Sequence, residues 1–245
     1  MFKDYELEIV YQDEYLVVIN KPTGLLVHKS MIDKDEIYFA MKMLRDQLDG
    51  QWVYPVHRLD KPTSGVLLFA LDSHTAKLMC EQFASHTMQK TYIAIARGYV
   101  AESGTIDYAL KEKLDKISDK DSSKFKEPQE AVTDFRCLCQ VELNAKVGIY
   151  DTVRYSLVEL KPYTGRKHQL RRHMKHINHH LLGDTKYGRG EHNKFIRKEY
   201  GMNRLLLHAS ELTVKHPYSQ ERLTFKAPFD EVFTLILKEF NFSLN

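Results

Sequence analysis

The sequence predicts an α+β fold built on a mixed sheet. Three observations carry that expectation. Short segments of alternating polar and apolar residues recur along the chain. Segments with helical spacing of apolar residues lie between them. The two kinds do not alternate strictly, as they would in a wholly parallel βαβ arrangement. At 245 residues the chain is long enough to bury a good core. It shows no internal repeat and no convincing linker, so one domain over residues 1–245 is expected.

The first element is a hairpin. In LEIVYQDEYLVVINKP, Leu7, Ile9 and Tyr11 alternate with polar residues, as do Tyr15, Val17 and Ile19, and QDE lies between them. Pro22 and Gly24 end it. In DKDEIYFAMKMLRDQLDG, Ile37, Met41, Leu44 and Leu48 fall on one helical face. Asp33 and Asp35 sit at the start of that helix and Gly50 follows its end. Val66 to Ala70 is an apolar run that reads as a buried strand. Asp72 or Ser73 then caps a helix through SHTAKLMCEQFASH. KTYIAIARGYV alternates again and reads as a strand. From Lys111 to Glu130 most residues are charged or small, so 111–130 reads as an exposed insertion. YSLVELKPYTGRKHQLRRHMKH passes from a strand, through a turn at Pro162 and Gly165, into a basic helix. LLLHASELTV is a further strand. PFDEVFTLILKEF closes with an amphipathic helix carrying Phe229, Phe233, Ile236 and Phe240.

Composition narrows the function classes. There are 36 basic and 33 acidic residues, a formal charge of +3. A nucleic-acid ligand therefore needs clustered basic groups, not merely abundant ones. The opening MFKDYELEIV has no apolar core of signal-peptide length, and no apolar run approaches membrane-spanning length. A cytoplasmic protein without a membrane partner is expected. Cys80, Cys137 and Cys139 have neither thioredoxin nor zinc-ribbon spacing and are expected to be packing thiols. His168, His173, His176, His179 and His180 lie close together, and His176 and His180 have i, i+4 spacing. No H-E-x-x-H pattern accompanies them, so no metal is expected.

Two segments could carry chemistry. In VYPVHRLDKPTSGVLLFA, an extended approach would put Arg58 and Asp60 on one face, with His57 and Leu59 on the other. A guanidinium there would hold the carboxylate ionised, and an ionised, partly desolvated carboxylate can act as a nucleophile. The plainer reading makes Asp60 a turn-former before a Thr63-Ser64-Gly65 turn. In PYTGRKHQLRRHMKHINHH, Arg166, Lys167, Arg171, Arg172 and Lys175 form the densest positive cluster in the chain. They follow a glycine turn at a helix start, which suits phosphates; a solvated helix face is the alternative. Tyr92 is a strand tyrosine, ordinarily a packing residue. No Walker motif or Ser-His-Asp arrangement stands out, and Thr63-Ser64-Gly65 lacks P-loop spacing.

HRLDKPTSG resembles the signature of the RluA-type pseudouridine synthases. NKPTGLLVH, KTYIAIARG, TGRKHQLRRHM, GDTKYG and RLLLHA resemble the family's other blocks, in its order, from about residue 19 to 209. The resemblance implies a mixed, largely antiparallel sheet of about eight strands with a central cleft and flanking helices. It implies isomerisation of uridine in RNA with no cofactor. Asp60 matches the family's nucleophile and Tyr92 its active-site tyrosine, which stacks on the uracil and is a candidate general base. Arg171 matches the arginine that pairs with the aspartate, with Arg166 as the alternative. Arg58 matches the arginine that fills the gap left by the flipped uridine, and Leu206 aligns with a pocket residue. His57, Arg166, Lys167, Arg172 and Lys175 are the further expected RNA contacts. Attack at C1′, addition at C6 and removal of the C2′ proton all fit these residues. The NKPTG block starts too early to leave room for an amino-terminal S4-type domain. The opening and middle segments resemble most the bacterial enzymes acting on uridine 65, in the T-arm stem of tRNA. The partner implied is tRNA, met by a monomer. A ribosomal-RNA substrate and a non-catalytic RNA-binding module are the alternatives, and the joint presence of Asp60, Tyr92 and Arg171 argues against the second.

Overall fold

The computed structural model describes residues 2–29, 35–111 and 127–243. The first hairpin forms where the alternation predicts it. Strand β1 (Glu8–Gln12) pairs antiparallel with β2 (Leu16–Lys21). Asp13 turns the chain, its Oδ1 accepting from the backbone N–H groups of Tyr15 and Leu16. Helix α1 (Ala40–Gln47) begins later than its apolar spacing suggests. Phe39 is extended and bridges Leu26 in parallel, and the amides of Ala40 and Met41 donate to the carbonyls of Leu26 and Val27. That long-range tie fixes the helix start, so Ile37 lies outside the helix and is exposed. Asp33 falls outside the described residues.

Strand β3 (Tyr54–Pro55) and β4 (Ser64–Ala70) follow, then helix α2 (Ser73–Ala84) with Asp72 as its N-cap. Next come β5 (Gln89–Arg97), β6 (Ser103–Asp107), β7 (Val132–Leu143) and β8 (Val153–Pro162). Of the expected 111–130 insertion, residues 112–126 lie outside the described residues. Helix α3 (Gln169–His176), helix α4 (Gly190–Tyr200), β9 (Leu207–Lys215), β10 (Arg222–Lys226) and α5 (Glu231–Glu239) complete the chain. Asp230 caps α5 by accepting from the Phe233 N–H. Among the described residues no helix is long and apolar enough to cross a membrane.

The strands make one ten-stranded sheet, ordered β1-β2-β4-β9-β5-β8-β7-β6, with β3 added to β4 and β10 to β9. The resemblance implied about eight strands; the eight-strand path is there and the two short strands extend it. Every pairing is antiparallel except β4 with β9, which are parallel over Ser64 opposite His208 and Gly65 opposite Ala209. This short seam joins two halves of the sheet. In one half, Val17, Ile19, Leu67 and Phe69 face α1, while Leu16, Val18, Leu68 and Met79 pack on the α2 side. In the other, Ile93, Ile95 and Leu157 pack against α4 and α5, while Ala94, Val158 and Leu160 pack with Leu170 and Met174 of α3. Both faces of each half are covered, so β4 is buried along its whole length.

The seam corrects one expectation. Thr63-Ser64-Gly65 is not a turn: Ser64 and Gly65 open β4. Gly65 has φ of +112°, and a Cβ there would sit 2.2 Å from the Ala209 carbonyl oxygen. Only glycine lets the two backbones meet. Gly65→Ala should lower unfolding stability by about 3 kcal/mol or more, from overpacking plus backbone strain. Urea titration measures this, and a variant within about 0.5 kcal/mol of wild type would show that the seam tolerates a side chain.

Candidate active site

The segment between β3 and β4 bends at Val56 and His57, so the i, i+2 rule of an extended strand does not hold. Arg58 is exposed at the cleft rim. The Asp60 carboxylate instead meets Arg171, whose Nη1 lies 3.2 Å from Asp60 Oδ2. Asp60 also forms a turn, its carbonyl accepting from the Thr63 N–H at 3.0 Å. The Asp60 backbone thus forms a turn while its carboxylate faces Arg171.

The loop after β2 holds that turn. The Gly24 N–H donates to the Lys61 carbonyl at 2.9 Å and the Thr23 hydroxyl to the Pro62 carbonyl at 2.8 Å. Lys21 is fully buried, and its Nζ donates to the carbonyls of Pro22, Leu25 and Lys61 at 2.9, 2.8 and 3.3 Å. Burial, helped by the Arg204 charge and opposed by Asp60, pushes this ammonium down to about 7. Below the turn, Arg204 Nη2 donates to Ser64 Oγ at 2.7 Å, and Arg204 pairs with Asp230. His208 Nε2 donates to the Ala227 carbonyl, which leaves Nδ1 to accept from the Ser64 hydroxyl at 2.8 Å. Burial pushes His208 down to about 4, so the ring is neutral and this tautomer is the one that satisfies both contacts.

Arg171 is the centre of the site. Its Nε and Nη2 make a two-pronged pair with Asp184, each at 2.8 Å, the geometry that fits a guanidinium to a carboxylate. Asp184 Oδ1 also accepts from the backbone N–H groups of Lys186 and Tyr187 at 2.9 Å. The Arg171 guanidinium lies 5.2 Å from the Tyr187 ring centre. Burial alone would raise the Asp184 carboxyl, but Arg171 and the two amides pull it below the usual carboxylate range. Arg171 is therefore locked from one side, with one Nη1 left over for Asp60. His168, at the foot of α3 with φ of 56°, bonds Tyr187 Oη through Nδ1 at 2.9 Å. Burial pushes it down to about 4; it is neutral, and its Nε2, 3.9 Å from Asp60 Oδ1, makes no ion pair.

Asp60, His168 and Arg171 line a cleft of about 720 Å³ that also takes in Tyr92, Leu207 and Arg58, a size suited to a small organic ring system. Tyr92 lies on β5 opposite Ala209, one strand from the seam. Burial first, and the Asp60 charge second, raise its hydroxyl pKa, so it stays protonated at neutral pH. Arg166 and Lys167 line the same cleft. Arg172 and Lys175 do not: Arg172 donates to the Lys111 carbonyl at 2.9 Å and Lys175 is exposed elsewhere on α3. The basic segment is thus not one continuous rim, because helical rotation turns successive side chains about 100° apart.

Two further expectations are corrected. His57 is not presented as a free RNA contact. Its Nε2 accepts from the Leu68 N–H at 3.0 Å, and its ring stacks on Phe83 at 4.6 Å. Leu68 lies past the β9 contact, so its amide has no ladder partner on that side and the imidazole supplies the acceptor. Burial pushes His57 down to about 3, keeping that acceptor neutral. Leu206 is fully buried in the core with Phe233 and Ile236, and its neighbour Leu207 faces the cleft. Asp184, His168 and Lys21 were missed as site residues. The signal for Asp184 was present in GDTKYG, where an Asp can accept from the amides two and three residues on. His176 stacks on Tyr108 and His180 bonds the Tyr187 carbonyl. Among the described residues no three His, Cys, Asp or Glu side chains group as metal ligands.

Because the folded Asp184 pKa is lowered, its stabilising contribution is complete above the ordinary carboxyl pKa near pH 4 and is lost as pH falls through the lower folded value. Asp184→Asn should cost about 3–5 kcal/mol at pH 7. The gap from wild type should shrink as urea titrations move from pH 5 towards pH 3. A gap that does not change with pH would place the charge of Asp184 outside the stability of the site.

Residues 15–176 match the protein family described as RNA pseudouridylate synthase. The chain is 55% identical to the tRNA pseudouridine synthase C of Vibrio parahaemolyticus, over 96% of this chain and 95% of that one. It is 53% identical to the protein of the same description from Pasteurella multocida, over 98% of both. Human RNA pseudouridylate synthase domain containing 4 has a solved structure that superposes with a TM-score of 0.71 at 29% identity, covering 96% of this chain and 93% of that one. The matched span holds Asp60, Tyr92 and Arg171, and the chain belongs to the RluA-type RNA pseudouridylate synthase family.

Proposed function

We propose that this protein converts uridine 65 in the T-arm stem of tRNA to pseudouridine, acting as a cytoplasmic monomer without a cofactor. The observation that carries the catalytic reading is the Asp60–Arg171–Asp184 array on the cleft wall, 3.2 and 2.8 Å apart. It presents one carboxylate to the cleft, with its counter-charge fixed from behind. The tRNA substrate is supported by relatives of 55% and 53% identity that are described as tRNA pseudouridine synthase C.

The reaction rearranges one nucleotide. The N1–C1′ bond breaks, the uracil turns, C5 bonds to C1′, and the proton leaves C5 while N1 ends protonated. The base must first leave the helix, at a cost of a few kcal/mol. Arg58, exposed at the rim, offsets that cost by entering the vacated stack and meeting phosphate. Asp60 supplies the nucleophile, and Arg171 pairs with it and aims it. Tyr92, protonated and packed against the sheet, offers its ring to the uracil face. Arg166 and Lys167 hold the backbone, so binding weakens with salt.

Asp60→Asn should lower the single-turnover rate by about a thousandfold or more while leaving the Kd for tRNA within about threefold. Wild-type turnover in this variant would overturn the nucleophile assignment. Tyr92→Phe should keep RNA binding, whereas Tyr92→Ala should weaken it about tenfold through lost stacking; filter binding separates them. Arg58→Ala should slow the reaction on folded tRNA more than on a short unpaired RNA, and equal slowing on both would remove the flipping role. Pseudouridine mapping of total RNA from a strain lacking the gene tests the substrate. Loss of the signal at uridine 65 is expected, and loss of a ribosomal site alone would reassign it.

A further inference from the structure

The cleft holds a cation that the mechanism above does not use. Lys90 sits two residues before Tyr92 on β5, so both side chains share a face, about 7 Å apart along the strand. It lines the same cleft as Asp60, Tyr92 and Arg171. Its Nζ donates to the Thr164 carbonyl at 3.0 Å, which leaves two of the three ammonium donors for other acceptors. Among the described residues no carboxylate pairs with it. His57, which feels the Lys90 charge, has a neutral imidazole that already accepts from Leu68. Burial alone pushes the ammonium down to about 8, with no acid pulling the other way.

A half-buried cation without a counter-charge is costly. The other cations around the cleft are either paired, as Arg171 is, or out at the rim, as Arg58 is. Lys90 is half-buried in the cleft wall and unmatched by any acid among the described residues. An anion is the ligand that removes this cost. The carbonyl bond to Thr164 holds Nζ next to the turn that carries Arg166 and Lys167, so the three cations can follow one chain of phosphates.

We propose that Lys90 is a phosphate-binding residue that grips the RNA backbone beside the nucleotide held at Asp60. This assignment rests on the cleft being an RNA site, and it adds a contact on the inner wall to those at the rim. A ligand whose base lies against Tyr92 brings its adjoining phosphate within reach of Nζ.

The test is the salt dependence of binding between purified full-length protein and a tRNA transcript, for wild type, Lys90→Gln, Lys90→Arg and Lys198→Gln. Lys198 is an exposed α4 lysine, 83% accessible, and serves as the charge control. Lys90→Gln should weaken binding about tenfold at moderate salt. It should also reduce the slope of log K against log salt by about 0.7–0.9, one phosphate contact. Lys90→Arg should keep the wild-type slope, and Lys198→Gln should match wild type throughout. Should Lys90→Gln not fold, Lys90→Met keeps the apolar stem and gives the same comparison. A neutral variant with the wild-type slope would overturn the assignment. So would equal weakening in the Arg and Gln variants at unchanged slope, which would leave only the tie to Thr164. Because the slope reads binding and not turnover, wild-type protein that loses one contact on Lys90→Gln yet forms no pseudouridine would refute the proposed activity and uphold the phosphate site.

Discussion

One guanidinium, that of Arg171, joins its own helix to the loop that follows it and to a turn far earlier in the chain. It leaves α3, takes a two-pronged grip on Asp184, and gives its remaining edge to Asp60, 111 residues away. Asp184 is itself fastened by the amides of Lys186 and Tyr187. A buried charge with a single partner would be a liability. Here the partner behind Arg171 is fixed by backbone, and the partner in front of it faces the cleft. The direction of Asp60 is therefore set by the position of a loop more than a hundred residues downstream.

Around that pair the chain keeps other charges out. His57, His168 and His208 are all pushed well below neutrality by burial and act as neutral hydrogen-bonding rings. The field in the cleft then comes from Asp60 and from the cations Arg58, Lys90, Arg166, Lys167 and Arg171. A chain whose formal charge is only +3 thus carries a concentrated positive region where a polyanion would lie. The weak overall charge and the strong local one are not in conflict, since the compensating acids are elsewhere on the surface.

Much of this was legible in the sequence, and unevenly so. The hairpin β1–β2, strands β4, β5, β8 and β9, and helices α2 and α5 follow from local alternation and from caps such as Asp72 and Asp230. The start of α1 does not, because a bridge between Leu26 and Phe39 decides it. β6 escaped because it is a mostly exposed edge strand, and β7 beside it because it is half-buried and carries a bulge between Cys137 and Cys139 that breaks its period. At the site, Asp60, Tyr92 and Arg171 were named beforehand, yet the basic segment alone could not separate Arg171 from Arg172. One turns into the protein and the other away, a difference of one helical step. Leu206 and Leu207 differ in the same way: a shift of one residue exchanges core for cleft. Lys21 does its work through backbone carbonyls, and no pattern of side-chain types announces that.

The seam between β4 and β9 has a mechanical meaning. The ladders on either side of it are long, running for six register pairs from β2 to β4 and six from β5 to β8, while the seam itself spans two. A sheet bends where its cross-links are fewest. Asp60 is mounted on one side of that line, and Tyr92 and Arg171 on the other. A small rotation about the seam would open or narrow the gap between the aspartate and its neighbours without breaking a ladder in either half. The joint that assembles the cleft therefore lies between the residues whose spacing sets its width.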